Sequence, residues 1–211
     1  RRSSDLIRVT GAGGSIGNEL CREILRDSPQ ILVLLELNEF SLYKAELTFR
    51  RLSSIPIVPC LGSVHDSALV KNLLMEHKIQ TVYHAAAYKH VPLVEENPLE
   101  GLRNNAIGTK TLVEKCIEAE VDAFVLISTD KAVRPSNVMG ASKRIAEMIV
   151  QDTARRFPEL KLGIVRFGNV LDSRGSVVPL FREQIKNRQA ITVTHPEITR
   201  YFMSTGEAAR R

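Results

Sequence analysis

The run Ser128-Thr129-Asp130-Lys131 sets hydroxyls, a carboxylic acid and an amine side by side at the end of an apolar stretch. A carboxylic acid can protonate a departing hydroxyl, and a neutral amine can take a proton from carbon. The amine must first lose its own proton, against an ordinary pKa of about 10.4. Burial and neighbouring positive charge would help, and Lys143 stands close by in what reads as a helix. One helical turn before Lys143, on the same face, is Met139. A thioether neither gives nor takes a proton. Either the chain only binds a cofactor, or another residue carries the proton work. The plainer reading of Asp130 and Lys131 is a solvated ion pair at a strand end.

A second constellation is TGAGGSIG, residues 10–17. It lies between a short apolar run, LIRVT, and an amphipathic stretch from Ile16 to Arg26, the setting of a dinucleotide site. Gly11, Gly14 and Gly17 recur every third residue, with Ser15 and Ile16 between the last two. Such glycines permit a tight turn, let backbone approach a pyrophosphate and seat a helix against a strand. An acid is expected about 20 residues further on, and Glu36 closes the second apolar run, ILVLLEL. Its carboxylate can accept both adenosine ribose hydroxyls and would repel a 2′-phosphate. No Arg or Lys follows until Lys44, so the expected cofactor is NAD rather than NADP. A glycine-rich turn beside a solvated Glu is the alternative.

Apolar runs and amphipathic stretches alternate along the chain. Strands are expected at 6–10, 31–37, 55–61, 80–86, 123–129 and 162–167, the third near a sheet edge because of its two prolines. Helices are expected at 16–26, 39–51, 67–77, from Asn97-Pro98 to about Glu120, and at 137–157. This alternation specifies an α/β fold, a doubly wound parallel sheet of the Rossmann type. From Gly168 the texture changes to Gly/Ser/Pro-bearing loops with one short helix. The reading is a dinucleotide-binding domain over 1–167 and a partial substrate-side region over 168–211. The end, YFMSTGEAARR, lies inside a starting helix, as expected of a fragment.

Hydrophobic residues make up 44% and charged residues 25% of the 211, enough for a sizeable core. The net charge of +5 comes from scattered basic residues, and aromatics are only 5%, so no nucleic-acid surface is expected. Cys21, Cys60 and Cys116 lack ligand or CxxC spacing and read as buried free thiols in a reducing compartment, with no metal site. The longest apolar run is too short to span a bilayer and no signal peptide is visible, so this piece is expected to be soluble and cytoplasmic.

The glycine loop, YHAAAYKHVPLVEENP, NNAIGT, STDKAVRPSNVMGASKR and RFGNVLDSRGSVVPLFREQI together resemble extended short-chain dehydrogenases. More narrowly, they resemble the nucleotide-sugar 4,6-dehydratases of bacterial capsule, O-antigen and glycan synthesis, above all the membrane-anchored UDP-N-acetylglucosamine 4,6-dehydratases. The likeness runs from about residue 6 to Ala208. It implies a UDP-sugar substrate and a three-stage reaction, in which NAD⁺ takes hydride from C4, water is lost across C5–C6, and hydride returns to C6. Asp130 is then the acid for the C6 hydroxyl, Lys131 the base for the C5 proton, and Lys143 the holder of the nicotinamide ribose. Met139 occupies the position of the usual family tyrosine, as in the membrane-anchored subgroup. Ser63 and Val64 match the loop along adenine, and Ala85, Ala86 and Ala87 match small residues beside the cofactor ribose. Lys89, Asn169, Ser176, Val177 and Arg200 match sugar-nucleotide contacts. Asp172 stands where relatives usually have Gly. The resemblance further implies homo-oligomers packed through the long helices, and a membrane anchor only through a region outside this chain. A UDP-sugar 4-epimerase and a non-catalytic NAD-sensing module are the competing readings.

Overall fold

A computed structural model describes residues 6–171, 177–193, 195, 197, 199 and 201–210. Six strands form one parallel sheet: β1 (Leu6–Thr10), β2 (Ile31–Glu36), β3 (Ile57–Leu61), β4 (Thr81–His84), β5 (Ala123–Thr129) and β6 (Lys161–Phe167), in the order β3-β2-β1-β4-β5-β6. The proline-bearing β3 sits at the edge, where a missing N–H does least harm. Strand order reverses between β1 and β4, which opens a crevice at the carboxyl ends of these strands.

The helices are α1 (Ser15–Arg26), α2 (Glu39–Leu52), α3 (Ser67–Glu76), α4 (Val91–Glu96), α5 (Pro98–Leu102), α6 (Gly108–Glu118) and α7 (Val138–Arg156). Their starts are chemically specified. The side chains of Asn38, Asp66 and Asn137 each accept a backbone N–H from the first turn of α2, α3 and α7. After β6 come β7 (Asn169–Val170), α8 (Val177–Lys186), β8 (Phe202–Met203) and α9 (Thr205–Arg210), with β7 and β8 paired in parallel. Among the described residues no helix is long and apolar enough to cross a membrane.

One apolar cluster, including Leu20, Leu34 and Phe49, fills the face of the sheet towards α1 and α2. Another, including Val33, Leu112, Phe124 and Val150, fills the opposite face beneath α3, α6 and α7. Each fully buried Leu or Phe contributes roughly 1.5–3 kcal/mol. Arg8 interrupts the pattern. It lies at 0% exposure on β1, its Nη1 donates to the Val70 carbonyl, and its Nε and Nη2 have no partner among the described residues.

Two helical expectations need correction. The single helix from Asn97 to about Glu120 is instead α5, a π-helical segment at Arg103–Ile107, and then α6. The widened turn carries Asn105 inward, where its side chain is buried and bonded. Helix α4 also forms, with Pro92 in its first turn, in a stretch for which no element is expected from sequence. Of the expected site residues, Ser176 and Arg200, like Asp172, lie outside the described residues.

Candidate functional site

The loop from Thr10 to Gly17 turns because of its glycines. Gly11 has φ +67°, and an added Cβ would lie 2.7 Å from the Ala86 backbone. At Gly17 a Cβ would come 2.1 Å from the Gly11 carbonyl oxygen, so only glycine lets α1 approach the loop. No side chain caps the start of α1, where Gly14 is the N-cap. That end faces a cleft of about 480 Å³, lined by Gly11, Gly14 and Gly17 of the loop and by Ala85, Ala87 and Lys89. An uncapped helix start attracts an anion.

Glu36, at the end of β2, is held by two bonds: its Oε2 accepts from Gly13 N–H (2.9 Å) and its Oε1 from Asn38 N–H (3.0 Å). The acid thus helps to order the glycine loop. Ser63 Oγ accepts from His65 N–H at 3.1 Å, and Val64 is buried in the core, so the pair shapes the turn after β3. Ala86 N–H donates to Thr10 Oγ1 at 3.4 Å. Desolvation at the cleft wall lowers the pKa of Lys89.

At the end of β5, Thr129 Oγ1 donates to Asp130 Oδ1 at 3.0 Å. The Lys131 ammonium donates to Asp130 Oδ1 and to Asn169 Oδ1, each at 3.1 Å. The Lys131 side chain keeps 35% exposure, so the burial expected for it is not met. Asn169 reaches Lys131 from β7, an arrangement that the sequence reading, which gave Asn169 to the sugar, did not foresee. Val177 lies half-buried at the start of α8.

Lys143 is the buried lysine. It is 5% exposed, its Nζ donates to the Ile127 carbonyl at 2.7 Å, and burial pushes its pKa down to about 8 against the attraction of Glu147. Met139, one turn earlier on α7, is 4% exposed. Helix and strand end are in backbone contact here, since a Cβ on Gly140 would lie 2.3 Å from the Lys131 carbonyl oxygen.

Several residues of this site went unassigned from sequence. Asn105 clasps the cleft wall: its Oδ1 accepts from Tyr88 N–H (2.8 Å), and its Nδ2 donates to the Tyr88 carbonyl and to Ser142 Oγ (2.9 Å each). Thr109 commits its hydroxyl to the Asn105 carbonyl, so the His84 ring donates from Nε2 to Thr109 Oγ1 (3.0 Å) and accepts at Nδ1 from Thr10 (2.7 Å). Burial, then the charges of Lys143 and Arg8, push the His84 pKa down to about 3, and the ring is neutral. The signal for Asn105 was NNAIGT, which carries no periodicity of its own. Glu147, at 0% exposure, had one readable cue, an acid one turn after Lys143 on the same face.

A family model for polysaccharide biosynthesis proteins matches residues 7–210. The chain belongs to this family. The capsular polysaccharide biosynthesis protein CapD of Staphylococcus aureus is 52% identical over 206 residues, which are 97% of this chain and 34% of that protein. A UDP-glucose 4-epimerase of Rickettsia massiliae is 35% identical, covering 94% of this chain and 58% of the epimerase. This member of the polysaccharide biosynthesis family thus spans about a third of the length of one relative and under two thirds of the other. Its fold matches that of DesIV, a dTDP-glucose 4,6-dehydratase from Streptomyces venezuelae solved with NAD bound, at a TM-score of 0.85 and 21% identity over 97% of this chain and 69% of that one.

Proposed function

We propose that this chain is the catalytic part of an NAD-dependent nucleotide-sugar 4,6-dehydratase acting on a UDP-N-acetylhexosamine, most simply UDP-N-acetylglucosamine. The carrying observation is the cluster of Asp130 and Lys131, just after β5, with Asn169 of β7, and buried Lys143 bonded to Ile127 of the same strand. Residues 1–167 would form the cofactor half and 168–211 part of the sugar half.

The cleft fits a dinucleotide by its own geometry. The uncapped α1 terminus suits a pyrophosphate, a side chain at Gly11 or Gly17 would collide with backbone, and Glu36 is set for ribose hydroxyls of NAD rather than a 2′-phosphate. Lys143 would hold the nicotinamide ribose. When bound, NAD supplies reversible hydride transfer. The chain's own residues move the protons: Asp130 gives one to the departing C6 hydroxyl, Lys131 takes the one from C5, and Met139 fills space that a tyrosine would use. The O4 proton must leave by another route, and Asp130 is the nearest candidate.

The named likeness to UDP-glucose 4-epimerases favours a second reading, a 4-epimerase, which keeps the hydride steps but needs no base at C5. Mass separates the two. The full-length protein incubated with UDP-N-acetylglucosamine and NAD⁺ should yield a product lighter by one water, whereas an epimer has the mass of its substrate. Asp130→Asn and Lys131→Met should each slow water loss by roughly 10²–10⁴-fold, with NAD affinity retained. An isobaric product, or full activity in both variants, overturns the dehydratase reading.

A further inference from the structure

A carboxylate taken fully out of water is costly unless donors surround it. Glu147, at 0% exposure on α7, is surrounded. Its Oε1 accepts from Ser128 Oγ (2.6 Å) on β5 and from Arg166 Nε (2.7 Å) on β6, and its Oε2 accepts from Arg166 Nη2 and from Arg144 Nη1 (3.0 Å). Burial alone would push its carboxyl pKa up, but the hydrogen bonds from Arg166, Ser128 and Arg144 outweigh it and hold the group at about 2. The carboxylate is therefore charged at every working pH.

What it holds is the site. Ser128 directly precedes Thr129-Asp130-Lys131. Arg166 lies three residues before Asn169, which bonds Lys131. Lys143 is one helical turn before Glu147 and bonds Ile127, the neighbour of Ser128. Two successive residues of β5 are thus pinned by two successive turns of α7, and β6 is tied to the same point.

We propose that Glu147 is a positioning residue for the reaction proposed above: it provides the counter-charge for Lys143 and fixes the ends of β5 and β6 against α7. The inference rests on the assignment of Lys143 to the cofactor. The charged and titratable groups around Lys143 are Glu147 and Arg144 on its own helix, Arg166 on β6, His84 on β4, and Asp130 and Lys131 at the end of β5. His84 is neutral, Arg144 and Arg166 are bonded to Glu147 itself, and Asp130 is bonded to Lys131, so Glu147 is the negative charge that acts on Lys143.

The test is NAD affinity of the full-length protein by calorimetry between about pH 6 and pH 10, since an ammonium that grips the ribose loses its grip as it deprotonates. Affinity of the unchanged protein should fall above about pH 8. In Glu147→Gln, which keeps the shape and removes the charge, the fall should begin about one pH unit or more lower, the scale on which loss of a neighbouring opposite charge acts. Glu147→Asp should restore part of the shift. Arg144→Met, at a partly exposed residue that the fold can lose, should move the fall the other way, to higher pH. A purely structural role would lower stability and leave the midpoint where it is. An unmoved midpoint in Glu147→Gln overturns the inference. If that variant does not fold, an unmoved or lowered midpoint in Arg144→Met does the same. If the unchanged protein binds no NAD at any pH, the cofactor assignment itself falls and takes this inference with it; if it binds with no pH dependence, only the role of Lys143 and its counter-charge falls.

Discussion

Replacing Lys143 by methionine should make the cofactor-free protein more stable at neutral pH and less stable at high pH. The ammonium is buried, and its pKa is down from 10.5 to about 8. The folded state therefore releases a proton that the unfolded chain keeps until pH 10.5. At about 1.4 kcal/mol per pKa unit, keeping Lys143 charged destabilises the fold by about 3 kcal/mol below pH 8. The sign follows from proton counts. Between the two pKa values the unfolded state binds more protons, so stability rises with pH across that window. Methionine removes this term but leaves the Ile127 carbonyl without its 2.7 Å donor, a loss of about 2 kcal/mol. The variant should thus gain about 1 kcal/mol at pH 7, about 2–4 °C in Tm for a chain this size. Near pH 10.5 it should fall behind by about 2 kcal/mol, because the native lysine is then neutral and still bonded. Urea unfolding of both proteins at intervals from pH 7 to pH 10.5 reads the crossover. A stability difference that stays flat across that range refutes the reasoning, whatever its value at pH 7. The same variant should bind NAD poorly, so the lysine trades stability for function.

Gly17→Ala should destabilise by about 3 kcal/mol or more and abolish NAD binding, because its Cβ would meet backbone at 2.1 Å; a urea midpoint within error of the unchanged protein would contradict this. Arg8→Leu should raise Tm, by about 1–4 kcal/mol in stability, since burial already pulls the guanidinium pKa down to about 10 and two of its nitrogens lack partners among the described residues; a lower Tm would mean that they are satisfied after all. Glu36→Ala should narrow the preference for NAD over NADP and loosen the glycine loop, and calorimetry with both dinucleotides checks it.

The sheet was legible because its information is local. Val/Ile/Leu runs at strand length, separated by amphipathic stretches, carry both element type and parallel pairing, and the prolines in β3 placed it at the edge. Helix starts were read from the amphipathic stretches to within a residue or two, and in the structure Asn38, Asp66 and Asn137 cap three of them. The interruption at Arg103–Ile107 was not legible, because a π-turn is selected by what Asn105 reaches across the fold, Tyr88 and Ser142, rather than by its neighbours in sequence. Arg8 was read as an ordinary strand residue for the same reason: period-two patterning says which face a residue takes, not whether a charge there finds donors or acceptors. In the site, Asp130, Lys131 and Lys143 were named from the resemblance of the STDK and MGASK segments to those of the family. Their division of environment, and the contact from Asn169, needed three dimensions.

That division bears on the question raised by Met139. Two lysines flank the site in opposite surroundings. Lys143 is enclosed, with a pKa near 8 and a permanent counter-charge one turn away, which suits a fixed donor that stays in place. Lys131 keeps 35% exposure, and its partners are one carboxylate and one amide, both of which a bound sugar could displace. A group that must exchange protons with substrate needs such access, whereas a group that only holds a ribose does not. Met139, at 4% exposure, contributes volume and no charge, so it does not compete for protons. Met139→Leu, a near volume-conserving change, should therefore leave folding and most activity intact. Asp130→Asn should not. Measured side by side in the full-length protein, equal damage from the two changes would return the proton chemistry to the neighbourhood of residue 139 and remove it from the end of β5.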